Sequence, residues 1–178
     1  MSSKKHEQEN KQTFSYKLSE NEIFYFIIDR FEELKLNPSM ENLVHFHTIN
    51  KFLIMSHSSK YLNKLGNLVA NHNHQPFQDI LESYEKYLKE SLEIQPTIDS
   101  HTNVLSHIFG HFSNELNSDE KSAFLSSMKN FREKKISLSE VLGLLKSWIS
   151  KFDKTYLIGQ TYFLIYYDPS PDEIFNSL

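Results

Sequence analysis

Helix-opening signals recur along this chain, and little in it interrupts a helix. Ser19 with Glu22 and Ser137 with Glu140 form Ser-x-x-Glu capping boxes, each directly before apolar residues at helical spacing. In such a box the serine hydroxyl accepts from the amide three residues on. The glutamate reaches back to the serine amide, so orphan donors at the helix start are satisfied locally. Only 4 glycines and 5 prolines are spread over 178 residues, and no long window alternates as a half-buried strand would. The expected fold is all-α, a single-domain bundle of seven to eight helices.

The first 17 residues are polar and are expected to form a flexible tail, leaving 18–178 as one helical domain. The first helix is expected over 20–36, with Ile23, Phe26, Ile27, Phe31 and Leu34 on one face. Asn37-Pro38-Ser39 stops it, because a residue before proline is pushed out of the helical region. Further helices are expected over 40–55, from Ser58 or Ser59 to 72, and from Pro76 to 93. The remaining four run over 100–116, from a Ser118 cap to 134, from Ser137 to 152, and over 154–166. Pro169 and Pro171 close the last. With 14 Phe and 9 Tyr the chain has the bulk to fill one core.

With no cysteine, the chain cannot form disulfides, thiolate nucleophiles, cysteine-ligated zinc sites or cysteine-held iron–sulfur clusters. No apolar run approaches the ~18–20 residues that span a bilayer, and the opening MSSKKHEQENKQT lacks the apolar core of a signal peptide. The expectation is a cytoplasmic protein without membrane contact. Walker A, GxSxG, GxGxxG and paired-carboxylate patterns are all absent.

Charge distribution is more informative than its sum of −4. Residues 43–78 contain no Asp or Glu, although the chain has 23, and hold three lysines and five of the nine histidines. Residues 77–120 carry a net −7 and residues 121–151 a net +5. Two basic segments therefore flank an acidic one. If they meet in space, an acidic protein presents a positive face.

His47 and Lys51 lie four apart and share a helical face, as do Lys60 and Lys64. His57-Ser58 falls where one helix ends and the next begins, and a helix start presents free N–H groups and partial positive charge. His47, Lys51, His57, Ser58 and Lys64 together make a plausible phosphate reader. The competing reading is a solvated lysine face with histidines hydrogen-bonded in the core. His107 and His111 have the i, i+4 spacing of zinc ligands but no further ligand pattern, so no metal or cofactor is assigned. Phe131-Arg132-Glu133-Lys134-Lys135 ends a helix, where cations are favoured by the dipole alone; a second phosphate contact is the functional alternative. Tyr156, Tyr162, Phe163, Tyr166 and Tyr167 suit either core packing or base stacking.

These residues also resemble the YbgA-type family, a helical domain of unknown function. The first matching motifs are Leu43-Val44-His45-Phe46-His47, Lys51 to Ser58, and Tyr61 to Ala70. His101 to Phe112 resembles a second signature. Glu120-Lys121, Phe131-Arg132, Ile136-Ser137-Leu138 and Leu142 to Leu145 resemble a third. Tyr156-Leu157-Ile158-Gly159-Gln160 and Tyr166 to Ile174 resemble the last, with about four extra residues between them. The likeness runs over about 41–174. His111 and Phe131 stand where the family has Tyr, and Ser137 where it has Pro.

In many family members this domain is joined to a desulfidase domain that removes sulfur from thiolated pyrimidines on an iron–sulfur cluster. The resemblance implies an RNA-binding accessory module that engages tRNA in connection with thiouridine desulfuration or photoprotection, with a separate desulfidase chain as a candidate partner. The implied contacts are Lys51, Lys60, Lys64, Arg132, Lys134 and Lys135 to phosphates, with His47, His57, Ser58, Tyr61, Asn103 and His107 lining a cleft. Two other functions fit the same residues. One is a small-ligand protein or enzyme using a His/Lys cleft, since histidine titrates near neutrality. The other is a structural partner domain without a ligand.

Overall fold

The computed structural model of the protein describes residues 18–71 and 73–167. The expected tail over 1–17, the expected end of the third helix at His72 and the Pro169–Pro171 closure lie outside the described residues. Among the described residues nine helical elements follow in order: α1 (Glu20–Leu36), α2 (Met40–His57), α3 (Ser59–Ala70), α4 (Phe77–Leu92), α5 (Ile98–Gly110), α6 (Ser118–Arg132), α7 (Leu138–Lys151), a 3₁₀ turn at Thr155–Leu157 and α8 (Thr161–Tyr166). No strand occurs among the described residues, so the chain is all-α.

Local capping explains most of these starts. Ser19, Ser39, Ser58, Thr97, Asn117 and Ser137 each accept a hydrogen bond from the first turn of the helix that follows. Both expected capping boxes are present at Ser19 and Ser137. α4 instead begins behind Pro76, whose fixed φ is already suited to a helix start.

Several bounds move by one or two residues: α2 runs on to His57, α5 opens at Ile98 and α6 ends at Arg132. Three further differences have a structural cause. α5 ends at Gly110 rather than 116, and buried Phe112 and Leu116 pin the turns that follow. Asn117, not Ser118, caps α6, because its extended backbone lets it exchange hydrogen bonds with Glu120. The single helix expected over 154–166 is broken. Leu157, Tyr162 and Phe163 are all buried. In one straight helix Leu157 would point about 140° away from Tyr162. The break at Ile158 and Gly159 lets both face the core.

α2 is the centre of the molecule: α1, α3, α4, α5 and α8 all pack on it. That explains why Leu43, Phe46, Asn50 and the run from Phe52 to His57 are buried, rather than one stripe. Phe31 stacks on Tyr84 beside Phe46 where α1, α2 and α4 meet. Phe109 stacks on Phe124 at 4.2 Å beside Trp148, joining α5, α6 and α7. Tyr162, Phe163 and Tyr166 are core residues, whereas Tyr156 is exposed.

Candidate functional site

Because α2 is enclosed by neighbours, the polar groups along its remaining strip are partly shielded from water. His47 is half-buried there. Its Nδ1 shares a 3.0 Å hydrogen bond with the Tyr84 hydroxyl on α4, and its Nε2 faces the α3 backbone at Gly66. Burial, and then the charge of Lys51, lower the His47 pKa below its ordinary value. One turn further on, Lys51 is a partly exposed residue whose ammonium lies 4.9 Å from the centre of the Phe52 ring. Among the described residues it has no carboxylate within ion-pair distance.

α5 runs antiparallel to α2 and brings two more imidazoles to this strip. His111 meets the edge of Phe52 at 6.3 Å between centroids, and His107 lies one turn earlier, exposed. The His111 pKa is lowered, first by burial and then by the charges of Lys51 and Lys154. Two partners fix His111. The Tyr156 hydroxyl is 3.2 Å from its Nδ1, and Lys154 Nζ donates to its carbonyl oxygen. Lys154 is itself paired with Glu115 at 2.8 Å. The arrangement is one ammonium, without a carboxylate partner among the described residues, near two imidazoles whose pKa is lowered first by burial and then by its charge. An anion placed here would meet a permanent charge, and its own charge would favour protonation of the two imidazoles.

The other candidate residues take different places. His57 is in the core, where its Nδ1 lies 2.7 Å from the Ile94 carbonyl oxygen. A carbonyl only accepts, so Nδ1 carries the proton; burial lowers the His57 pKa. Its Nε2 is 3.9 Å from a Glu20 carboxylate oxygen, on the α1 side and away from Lys51. Ser58 spends its hydroxyl capping α3. Lys64 lies over two rings, 5.0 Å from Tyr61 and 4.6 Å from Tyr87. The Tyr61 hydroxyl bonds to Glu90, which raises its pKa, so the exposed Lys60 and the Lys64 ridge adjoin acidic α4. Asn103 donates to Ser59 Oγ at 3.2 Å.

Arg132, Lys134 and Lys135 gather at the end of α6. Lys134 has φ 59°, the left-handed residue that closes the helix, and its neighbour Lys135 pairs with Glu133 at 2.5 Å. Arg132 lines a cleft of about 590 Å³ with Thr102 and Ser106 of α5. Asn103, also on α5, reaches Ser59. The two basic segments thus both border α5, one through Ser59 and Asn103 and the other through Arg132.

Lys154 and Tyr156 belong to the site, but the sequence reading did not place them there. The turn after α7 carries them back to α5, a non-local contact with no periodic signal. The His107/His111 spacing was visible, but as a possible metal pair. Among the described residues no group of three or more His, Cys, Asp or Glu is arranged to hold a metal ion.

The family model described as "Protein of unknown function (DUF1722)" matches residues 51–167, from Lys51 through the end of α8. The chain belongs to this YbgA-type family. The "Uncharacterized protein YbgA" of Escherichia coli (strain K12) is 28% identical over 122 residues, covering 68% of this chain and 72% of the relative. No solved structure matches the chain. The family match contains Lys51, His107, His111, Lys154 and Tyr156, while α1, His45 and His47 lie before it. No described helix is long and apolar enough to cross a membrane.

Proposed function

We propose that this protein is a helical accessory module that binds RNA through its phosphates, with tRNA the favoured ligand and Lys51 at the centre of the interface. What supports this reading is Lys51, a residue of intermediate exposure with no carboxylate in ion-pair reach among the described residues, beside His47 and His111. An ammonium without a carboxylate beside it is open to a charge-assisted partner, and a phosphate oxygen supplies one. Lys60 and Lys64, and Arg132 bordering α5, extend the positive surface along a backbone track. Resemblance of the chain's motifs to modules accompanying thiouridine desulfidases narrows RNA to tRNA, and makes a separate desulfidase chain the natural partner.

Filter binding of tRNA to the wild type and to the Lys51→Glu/Lys64→Glu double variant tests the proposal. The expected result is a loss of about tenfold or more, since two phosphate contacts become repulsive. Equal affinity for both proteins would remove these lysines from the interface.

A further inference from the structure

The face formed by α1, the first half of α2 and residues 158–164 is separate from the Lys51 strip, none of whose residues line it. It opens as a cleft of about 610 Å³, with Phe46, Ile49 and Leu164 among its apolar walls. Two of the apolar side chains that line it stand out in water: Leu164 is 69% exposed and Ile158 is 43% exposed. Apolar side chains exposed singly are ordinary, but a cleft that gathers them on one face has the character of a contact surface. α1 and the α2 residues that line the cleft precede the part matched by the family model.

The charges on this face are more selective than its apolar part. Of the described residues that line the cleft, only Arg30 and Glu33 carry a formal charge at neutral pH, one of each sign. They stand three apart on α1 and share its face. Both are exposed, and among the described residues neither has an oppositely charged group within ion-pair distance. The Arg30 guanidinium lies 5.2 Å from the centre of the Phe26 ring, one turn back on the same stripe of α1. A partner for this face must therefore offer an anion and a cation about one helical turn apart, set in an apolar surface. A second copy of the same face meets that demand when turned about a two-fold axis. Two antiparallel α1 helices that cross midway between these positions put each Arg30 opposite the Glu33 of the other copy.

We propose that this face is a two-fold interface between two copies of the chain, in which Arg30 of each pairs with Glu33 of the other and the exposed Leu164 is buried in the contact. The self-complementary charge pattern selects a second copy over a partner of one sign, which would leave one of the two charges opposed.

The test is sedimentation velocity of the full chain from micromolar to near-millimolar concentration. The wild type is expected to show a reversible monomer–dimer equilibrium. Arg30→Glu alone, or Glu33→Arg alone, sets like charges opposite each other twice, because the two-fold axis repeats every contact. Each is expected to raise the dimer dissociation constant about tenfold or more. Mixing the two single variants restores both pairs, since one copy then carries two carboxylates and the other two guanidinium groups. A heterodimer about as tight as the wild-type dimer is expected from that mixture. Leu164→Glu, at an exposed position, is expected to abolish the dimer, and serves if an α1 variant does not fold. A wild type that stays monomeric throughout would overturn the proposal and leave the cleft to a different protein or a small ligand. A dimer that withstands all three substitutions, or single variants whose mixture stays monomeric, would overturn it as well.

Discussion

Lys51 decides the chemistry of its surroundings at the scale of single residues. Its charge contributes to the lowered pKa of both His47 and His111. Lys51→Gln is therefore expected to raise the pKa of both imidazoles while leaving that of His57 unmoved, which histidine NMR titration measures directly. His57 has a different consequence. Burial depresses its folded pKa, as it does for His47 and His111, below the value near 6.5 of an unfolded chain. As pH falls through that value, the unfolded chain takes up protons that the native state refuses, so stability falls below pH 6.5 and is flat above it. A second loss is expected below about pH 4.5, where the lowered carboxyls of Glu85, Glu120 and Glu140 begin to protonate in the unfolded chain. Thermal melts from pH 8 to 3 check both stages. A His57→Gln variant, which cannot titrate, should show a shallower first stage. The i, i+4 pairing of His47 with Lys51 was legible in the sequence because it is a local geometric consequence of a helix. That His57 faces inward was not, because its direction is set by the Ile94 carbonyl 37 residues away.

Helix ends carry most of what the sequence revealed about the elements. Ser19 and Ser137 act through partners three residues away, so their boxes are visible without any tertiary knowledge. Ser137→Ala is expected to cost about 1 kcal/mol in denaturant unfolding, the usual value of a lost N-cap. At the far end of α6, Lys134 holds a left-handed conformation that favours glycine. Lys134→Gly is expected to stabilise the fold by about 1 kcal/mol, from relief of the side-chain penalty. An unchanged or lower unfolding midpoint for that variant would refute the strain argument. The break between the 3₁₀ turn and α8 escaped sequence reading for a physical reason. Nothing over 154–166 stops a helix as proline would, but its β-branched and aromatic residues and Gly159 hold one weakly, and the demand that Leu157, Tyr162 and Phe163 all reach the core breaks it there. The same break brings Gln160 to α2.

Across the whole molecule, the alternation of charge along the chain becomes a spatial arrangement around α5. The basic segments both border it, one around Lys51 and Lys64 and the other around Arg132. Acidic α4 borders the first through Glu90. An RNA strand following this surface would cross α5 near Asn103 and His107. The logarithm of its affinity should fall linearly with the logarithm of salt, with the slope reduced by about 0.7–0.9 for each lysine contact removed. If the Lys51 strip receives the phosphate, proton uptake at its histidines reports it. A bound phosphate favours imidazolium, so affinity should rise as pH falls from 7.5 to 6. Histidine titration by NMR, with and without tRNA, is the deciding measurement. tRNA is expected to raise the pKa of His47 and His111 and to leave that of buried His57 where it is. Unchanged His47 and His111 titrations in the saturated complex would contradict it.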